Sequence, residues 1–233
     1  MLRFGPETGP VVVVASPLFE EANRTRALLV ALCRALAEHG VASALPDLPG
    51  QGESLVPLEA LSCVGEIGEG YEAAVDTLRE RHGRVHGAAI RSGALLDFCA
   101  ELDSCWHFAP QGGPEMLREL TRIKQAADPS RPLHPLWYQE PLAPDGEPQP
   151  PVEVAGNVVA ARLFTILKAD VIHDGSDPED VPLRTVRLDT DPRPADRHVP
   201  GRPLWRQAEP ENDPALAAML AADIAEWIAA CDG

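Results

Sequence analysis

Residues 85–99, VHGAAIRSGALLDFC, constrain the fold of this chain more than any other stretch. The run from Val85 to Ile90 is small and apolar and reads as a buried parallel strand. Gly93 permits a sharp turn, and Ala94, Leu95, Leu96, Asp97 and Phe98 begin a helical pattern. Strand, tight turn and helix form the setting of a nucleophile elbow, where a reactive side chain sits between small residues on a strained turn. The apex of this frame, A-I-R-S-G, is Arg91. A guanidinium stays protonated at working pH and cannot attack a carbonyl carbon. The frame of a reactive site therefore surrounds a residue that cannot act as its nucleophile.

The flanking sequence supplies further strand–helix units. Val11–Ala15 is a β-branched run with the character of a central parallel strand. A loop follows at residues 17–26, PLFEEANRTR, and then a helix carrying Leu28, Leu29, Leu32 and Leu36, stopped by His39 and Gly40. A second strand is expected at residues 41–45, running into DLPGQGES at 47–54. Glycines in that loop allow the chain to fold back tightly at the carboxyl edge of a sheet. Residues 56–82 read as a helical region, firm from Tyr71 to His82 and weakened by glycines between Ser62 and Gly70.

Beyond the elbow, residues 103–110 read as a strand and 115–127 as an amphipathic helix with Met116, Leu117, Leu120 and Ile123 on one side. The proline-rich stretch to residue 151, including the Asp145-Gly146 turn, reads as a small cap over the sheet edge, with Trp137 and Tyr138 as lid aromatics or packing anchors. A short strand is expected at 152–155 and a helix at 158–167. Residues 172–177 form an acidic loop whose spacing does not match a calcium-binding helix–loop–helix. Leu183–Leu188 alternates as a strand and Arg197–Val199 is a very short last one. Asp213 caps a final helix with Leu216, Met219, Leu220, Ile224, Trp227 and Ile228 at helical spacing.

At 233 residues with 45% hydrophobic content, one domain spanning 1–233 is expected, with 112–151 as a cap or loop insertion. The net charge of -16 argues against nucleic acid as a partner. Cysteines 33, 63, 99, 105 and 231 lack the spacing of a metal site or a disulfide framework, so no metal or cofactor is expected. The N-terminus lacks an apolar signal core and the longest apolar runs are too short for a membrane span, so a cytoplasmic location is expected.

The DLPGQGES loop resembles the one that follows the fourth strand of α/β-hydrolase-fold proteins. Several segments together resemble one family, the exosortase A system-associated hydrolases of the second type. PLFEEANRTR is similar to that family's P-P-F-A-E-E-M-N-K-S-R, DLPGQGES to D-L-x-G-x-G-D-S, and IRSGALL to L-R-x-G-A-L-L. VEVAG is similar to V-E-V-A-G-Y, and VPGRPLWRQAE to V-x-G-P-P-F-W-x-x-x-E. The matches are collinear over most of the chain. The resemblance implies an α/β-hydrolase-like, mostly parallel sheet flanked by helices, in a bacterial protein tied to PEP-CTERM sorting and exopolysaccharide export. It supplies no substrate. Between Leu183–Leu188 and the VPG turn the family has room for a full helix where this chain has a short connection, so a reduced C-terminal sheet edge is expected.

A serine-hydrolase site in this fold needs a nucleophile at the elbow, an acid after a later strand and a histidine after the last one. Asp189 and Asp191 are the candidate acids and His198 the candidate base, although it lies before the VPG turn. Ser92, next to the apex, and Ser16, after the first central strand, are the candidate hydroxyls, with Ser92 expected to cap a helix. A buried guanidinium requires a carboxylate. Glu20 or Glu21 is the expected partner of Arg91 and Asp47 the next, with Asn23 and Arg24 on the same pocket wall. The leading expectation is a non-catalytic binding or accessory protein of a sorting or export system. The alternatives are an esterase, thioesterase or acyltransferase with a non-standard nucleophile, and a sensor that grips an acidic small molecule through Arg91.

Overall fold

Alternation along the central strands determines how this chain layers. The computed structural model describes residues 1–130, 133, 137–138, 150–176, 181–207 and 209–233. Its elements are β1 (Leu2–Phe4), β2 (Val11–Ala15), α1 (Glu20–Glu38), β3 (Ala42–Leu45), α2 (Val64–His82), β4 (Val85–Ile90) and β5 (Ser104–Phe108). After these come α3 (Gly113–Ala127), β6 (Val152–Val154), β7 (Asn157–Val159), α4 (Ala161–Leu167), β8 (Leu183–Leu188), β9 (Arg197–Val199) and α5 (Pro214–Asp232). On β2, Val12 and Val14 face a core shared with Leu28, Leu32 and Leu36 of α1 and with Leu220 and Ile224 of α5. Val11, Val13 and Ala15 face the opposite core, with Ile67, Tyr71 and Val75 of α2 and Leu163 and Phe164 of α4. A strand buried on both faces reads as an unbroken apolar run, as β2 does.

The main sheet has seven strands in the order β1-β3-β2-β4-β5-β8-β9, parallel except for β1, which pairs antiparallel with β3. Helices α1 and α2 are the crossovers that parallel neighbours require. The carboxyl ends of β2, β3, β4, β5 and β8 therefore share one edge, and the elbow lies at the end of β4. Only residues 189–196 separate β8 from β9, without a helix, so the sheet narrows as expected to a three-residue edge strand. That link is held by Asp196, whose carboxylate accepts the Thr185 N–H at 2.7 Å and whose N–H donates to the Thr185 carbonyl at 2.9 Å.

Several elements differ from the sequence expectation. Residues 20–26 are not loop but the start of α1, because Glu21, Thr25 and Leu28 fall on its buried face. Helix α2 runs unbroken through Gly65, Gly68 and Gly70. Gly68 packs against Cys99 and Gly70 against Pro49, so these glycines permit close packing and do not end the helix. Asn157–Val159 pairs with Val152–Val154 as a hairpin, and the helix expected from 158 begins at Ala161. The first strand, Leu2–Phe4, is too short and exposed to carry a hydrophobic signal. Trp137 and Tyr138 pack on Phe164 with ring centroids 5.2 and 6.2 Å away, as packing anchors. The expected Asp145-Gly146 turn and Asp177 of the acidic loop lie outside the described residues.

Helix α5 has the length and composition of a membrane span, but Leu216, Leu220, Ile224 and Ile228 are buried in the core. Its Asp213 caps the helix by accepting the Leu216 N–H at 3.0 Å. Its Asp223, fully buried, accepts from Trp106 Nε1 at 2.8 Å, Arg184 Nε and Nη2 at 2.8 and 2.9 Å, and Arg197 Nη1 at 2.7 Å. One carboxylate thus ties α5 to β5, β8 and β9. Burial alone would raise its pKa, but the bonds from Arg184, Trp106 and Arg197 outweigh it and lower it to about 2. A depressed carboxylate pKa contributes stability that is complete above the unfolded value and lost as pH falls through the folded one. In urea denaturation at neutral pH, Asp223→Ala is expected to cost about 3–5 kcal/mol by stranding two arginines. The gap between wild type and Asp223→Asn should hold above roughly pH 5 and close as pH falls from about 4 towards 2.

Candidate functional site

The elbow is strained where a nucleophile would sit. Arg91 has φ 56°, a left-handed conformation that a bulky side chain rarely adopts. Phe19 (φ 60°) and Ala109 (φ 48°) share this geometry at the ends of neighbouring strand connections. Gly93 lets the turn settle on β2: a Cβ there would collide with the carbonyl oxygens of Ala15 and Ser16. The segment Arg91–Cys99 that follows is a 3-10 helix.

The Arg91 side chain is 3% exposed. Its Nε and Nη2 donate to Glu21 Oε2 and Oε1 at 3.1 and 3.2 Å, a bidentate pair. Nη2 also donates to Glu119 Oε2 at 3.1 Å, and Nη1 to the Ala109 carbonyl at 3.2 Å. The guanidinium carbon lies 4.7 Å from the centre of the Trp205 ring, within cation–π range. Gln111 completes the frame: its side-chain amide donates to Glu119 Oε2 at 2.8 Å and its backbone N–H to the Arg91 carbonyl at 3.2 Å. Burial raises the Glu21 pKa; Arg91 pulls it back and Glu119 and Glu20 add to the rise. The first turn of α1, α3 and the residue after β5 therefore converge on one cation.

The other candidates are distributed differently. Glu20 does not reach Arg91; burial raises its pKa, with Arg24 opposing. Asp47 pairs with Arg26 at 3.2 Å and with the N-terminal ammonium at 3.4 Å, so it is not a partner of the elbow. Arg24 donates to the Trp205 carbonyl at 3.0 Å, fixing the residue that covers Arg91. Ser92 makes no helix-cap bond; its Oγ accepts the Leu18 N–H at 2.9 Å. That interaction occupies a backbone N–H of the loop after β2. Ser16 Oγ donates to Gln51 Oε1 at 3.3 Å. Neither hydroxyl is bonded to an imidazole.

The expected acid and base do not form a relay either. Asp191 accepts from Arg193 Nη2 at 2.8 Å and Arg187 Nη1 at 3.0 Å, and those bonds hold its carboxyl far below the usual range. Asp189 contributes a backbone N–H to the Val199 carbonyl at 2.9 Å. His198 turns its Nε2 to the carbonyls of Asp191 and Arg193, each at 3.1 Å, so its ring braces the β8–β9 connection. A cavity of about 250 Å³ lies beside Arg91, walled by Asp191, Arg193, Trp205 and Arg206. Arg193 is spent on Asp191 and on both oxygens of Glu115, each at 3.0 Å.

Two further imidazole pairs lie outside the Arg91 cluster. His86 Nδ1 is 2.9 Å from Ser104 Oγ and its Nε2 3.4 Å from Asp232 Oδ1, a serine–histidine–aspartate set in composition. Ser104 is fully buried at the start of β5, so a substrate has no approach, and burial lowers the His86 pKa. His107 and Asp97 form a buried pair at 2.5 Å. Among the described residues no group of three or more His, Cys, Asp or Glu side chains is placed to hold a metal ion.

Glu119, Gln111 and Trp205 were not foreseen as partners of Arg91. Trp205 lies in the VPGRPLW segment and Glu119 on the amphipathic α3, but their convergence requires the folded topology. Removing one partner of a buried ion pair leaves an uncompensated charge. Glu21→Ala is therefore expected to lose about 3–5 kcal/mol in urea denaturation, whereas the apolar double variant Glu21→Leu/Arg91→Met recovers most of that loss.

No protein-family model matches the chain, and no curated protein does. Among solved structures, Est1E from Butyrivibrio proteoclasticus, determined with ferulic acid bound, is similar with a TM-score of 0.52 at 13% identity, over 96% of this chain and 89% of its own. A protein from Agrobacterium vitis S4 described as a candidate hydrolase gives 0.50 at 13% identity, over 79% of this chain and 70% of its own. At such identities the likeness concerns the fold alone. With the mostly parallel seven-stranded sheet and the strained turn after β4, it establishes that this chain has the α/β-hydrolase fold.

Proposed function

We propose that the chain is a non-catalytic binding or accessory protein built on the α/β-hydrolase fold. The observation that carries this reading is the state of Arg91: it takes the nucleophile position and is held by Glu21, Glu119 and the Ala109 carbonyl. Without nucleophile and base, most of the acceleration a triad provides is lost. The bonds of Ser92 to Leu18 and of His198 to backbone carbonyls support the same reading. The sequence resemblance supports a role in a sorting and exopolysaccharide-export system, and the N-terminus without an apolar signal core supports a cytoplasmic site of action. Its partners there are a protein of that system and a small or acyl-bearing ligand.

A second reading is a sensor of an acidic metabolite, favoured by the cavity that Arg91, Arg193 and Arg206 border. Against it, a carboxylate or phosphate must displace Glu119 or Glu21 to gain bidentate contact with Arg91. Incubation with a fluorophosphonate probe and a panel of short acyl esters is expected to give no labelling and no turnover above the uncatalysed rate. Labelling that disappears in Ser16→Ala or Ser92→Ala would establish an active hydrolase and overturn the proposal. Thermal shifts with acidic metabolites that vanish in Arg91→Met would favour the sensor.

A further inference from the structure

A second cavity, of about 320 Å³, opens at the same sheet edge beyond the end of β2, between the start of α1, the 50–58 loop and the β6–β7 hairpin. Its volume falls in the range of small-molecule sites, about 300–1,000 Å³. Among the described residues, no side chain lining it carries a charge. Its polar groups are the carboxamides of Asn23, Gln51 and Asn157 and the hydroxyl of Ser54; Phe19, Val56, Pro57 and Leu58 add an apolar wall.

The hydrogen-bonding capacity of these groups is partly unspent. Gln51 is 9% exposed; its Oε1 accepts from Ser16, while its Nε2 is buried with no partner. A buried donor left unpaired is unfavourable, so an acceptor that reaches it stabilises the bound state. Asn157 donates to the Ala155 carbonyl at 3.1 Å, which leaves its oxygen free to accept. Ser54 Oγ accepts the Val56 N–H at 3.2 Å and retains its own proton to donate. The wall thus offers donors and acceptors side by side.

A hydroxyl group both donates and accepts, whereas a carboxylate or phosphate only accepts and an ammonium only donates. An anion would meet no cation here and would approach a protein of net charge -16. A cation would meet no carboxylate. We propose that this cavity binds a neutral sugar, its hydroxyls meeting Gln51, Asn23, Asn157 and Ser54 and its C–H face resting on Phe19, Pro57 and Leu58. The site is separate from the Arg91 cavity and does not depend on how Arg91 is read.

The test is a titration of ¹⁵N-labelled protein, through the millimolar range, with glucose, galactose, mannose and N-acetylglucosamine. Glucuronate and glucose 6-phosphate serve as charged counterparts. At least one neutral sugar is expected to shift the side-chain amide signals of Gln51 and Asn23 saturably, and the charged counterparts to bind about tenfold more weakly or not at all. Asn23→Ala, and Asn157→Ala, which gives up only the local bond to the Ala155 carbonyl, should each weaken binding several-fold with the backbone spectrum preserved. Absence of saturable shifts with every neutral sugar would overturn the proposal. So would tighter binding of the charged counterparts, or full affinity in both variants.

Discussion

The bidentate pair between Arg91 and Glu21 is the interaction on which the carboxyl edge of this sheet depends. A guanidinium on a left-handed turn, 3% exposed, is stable only while carboxylates and carbonyls meet its donors. Meeting them brings together the first turn of α1, Glu119 of α3, the residue after β5 and the Trp205 ring from the C-terminal region. A reactive elbow keeps its apex open to substrate. Here the apex is filled from within, so the same backbone frame serves as a structural tie.

Asp223 plays the complementary part on α5. Where Arg91 gathers carboxylates, Asp223 gathers arginines and an indole N–H, and anchors α5 to the narrow end of the sheet. The short β8–β9 connection contains no helix, and α5 is tied to both strands through its buried carboxylate. His198 and Asp191, which sequence order nominated as base and acid, belong to this bracing. Their chemistry is directed at the loop they stabilise.

The strand–elbow–helix unit, β8 and β9, and the Asp213 cap were legible because apolar periodicity and turn residues are local signals. Glu21 was legible as a partner of Arg91, yet Glu20 remained an equal choice while residues 20–26 read as loop. The phase of α1, with Glu21 on the face of Thr25 and Leu28, separates the two. Glu119, Gln111 and Trp205 carried no local signal, since their role arises from contacts distant in sequence. Glycines in α2 misled for a related reason: their use lies in tight packing against Cys99 and Pro49, which is a tertiary fact.

Arg91 is locked in place by its partners, and the most direct measurement of that lock is the exchange of its guanidinium protons by nuclear magnetic resonance. If the pairing holds, the Arg91 Nε–H should exchange with water far more slowly than that of the exposed Arg206, and rotation about its Nε–Cζ bond should be hindered. Exchange as fast as Arg206, with free rotation, would mean an open apex and would contradict the account.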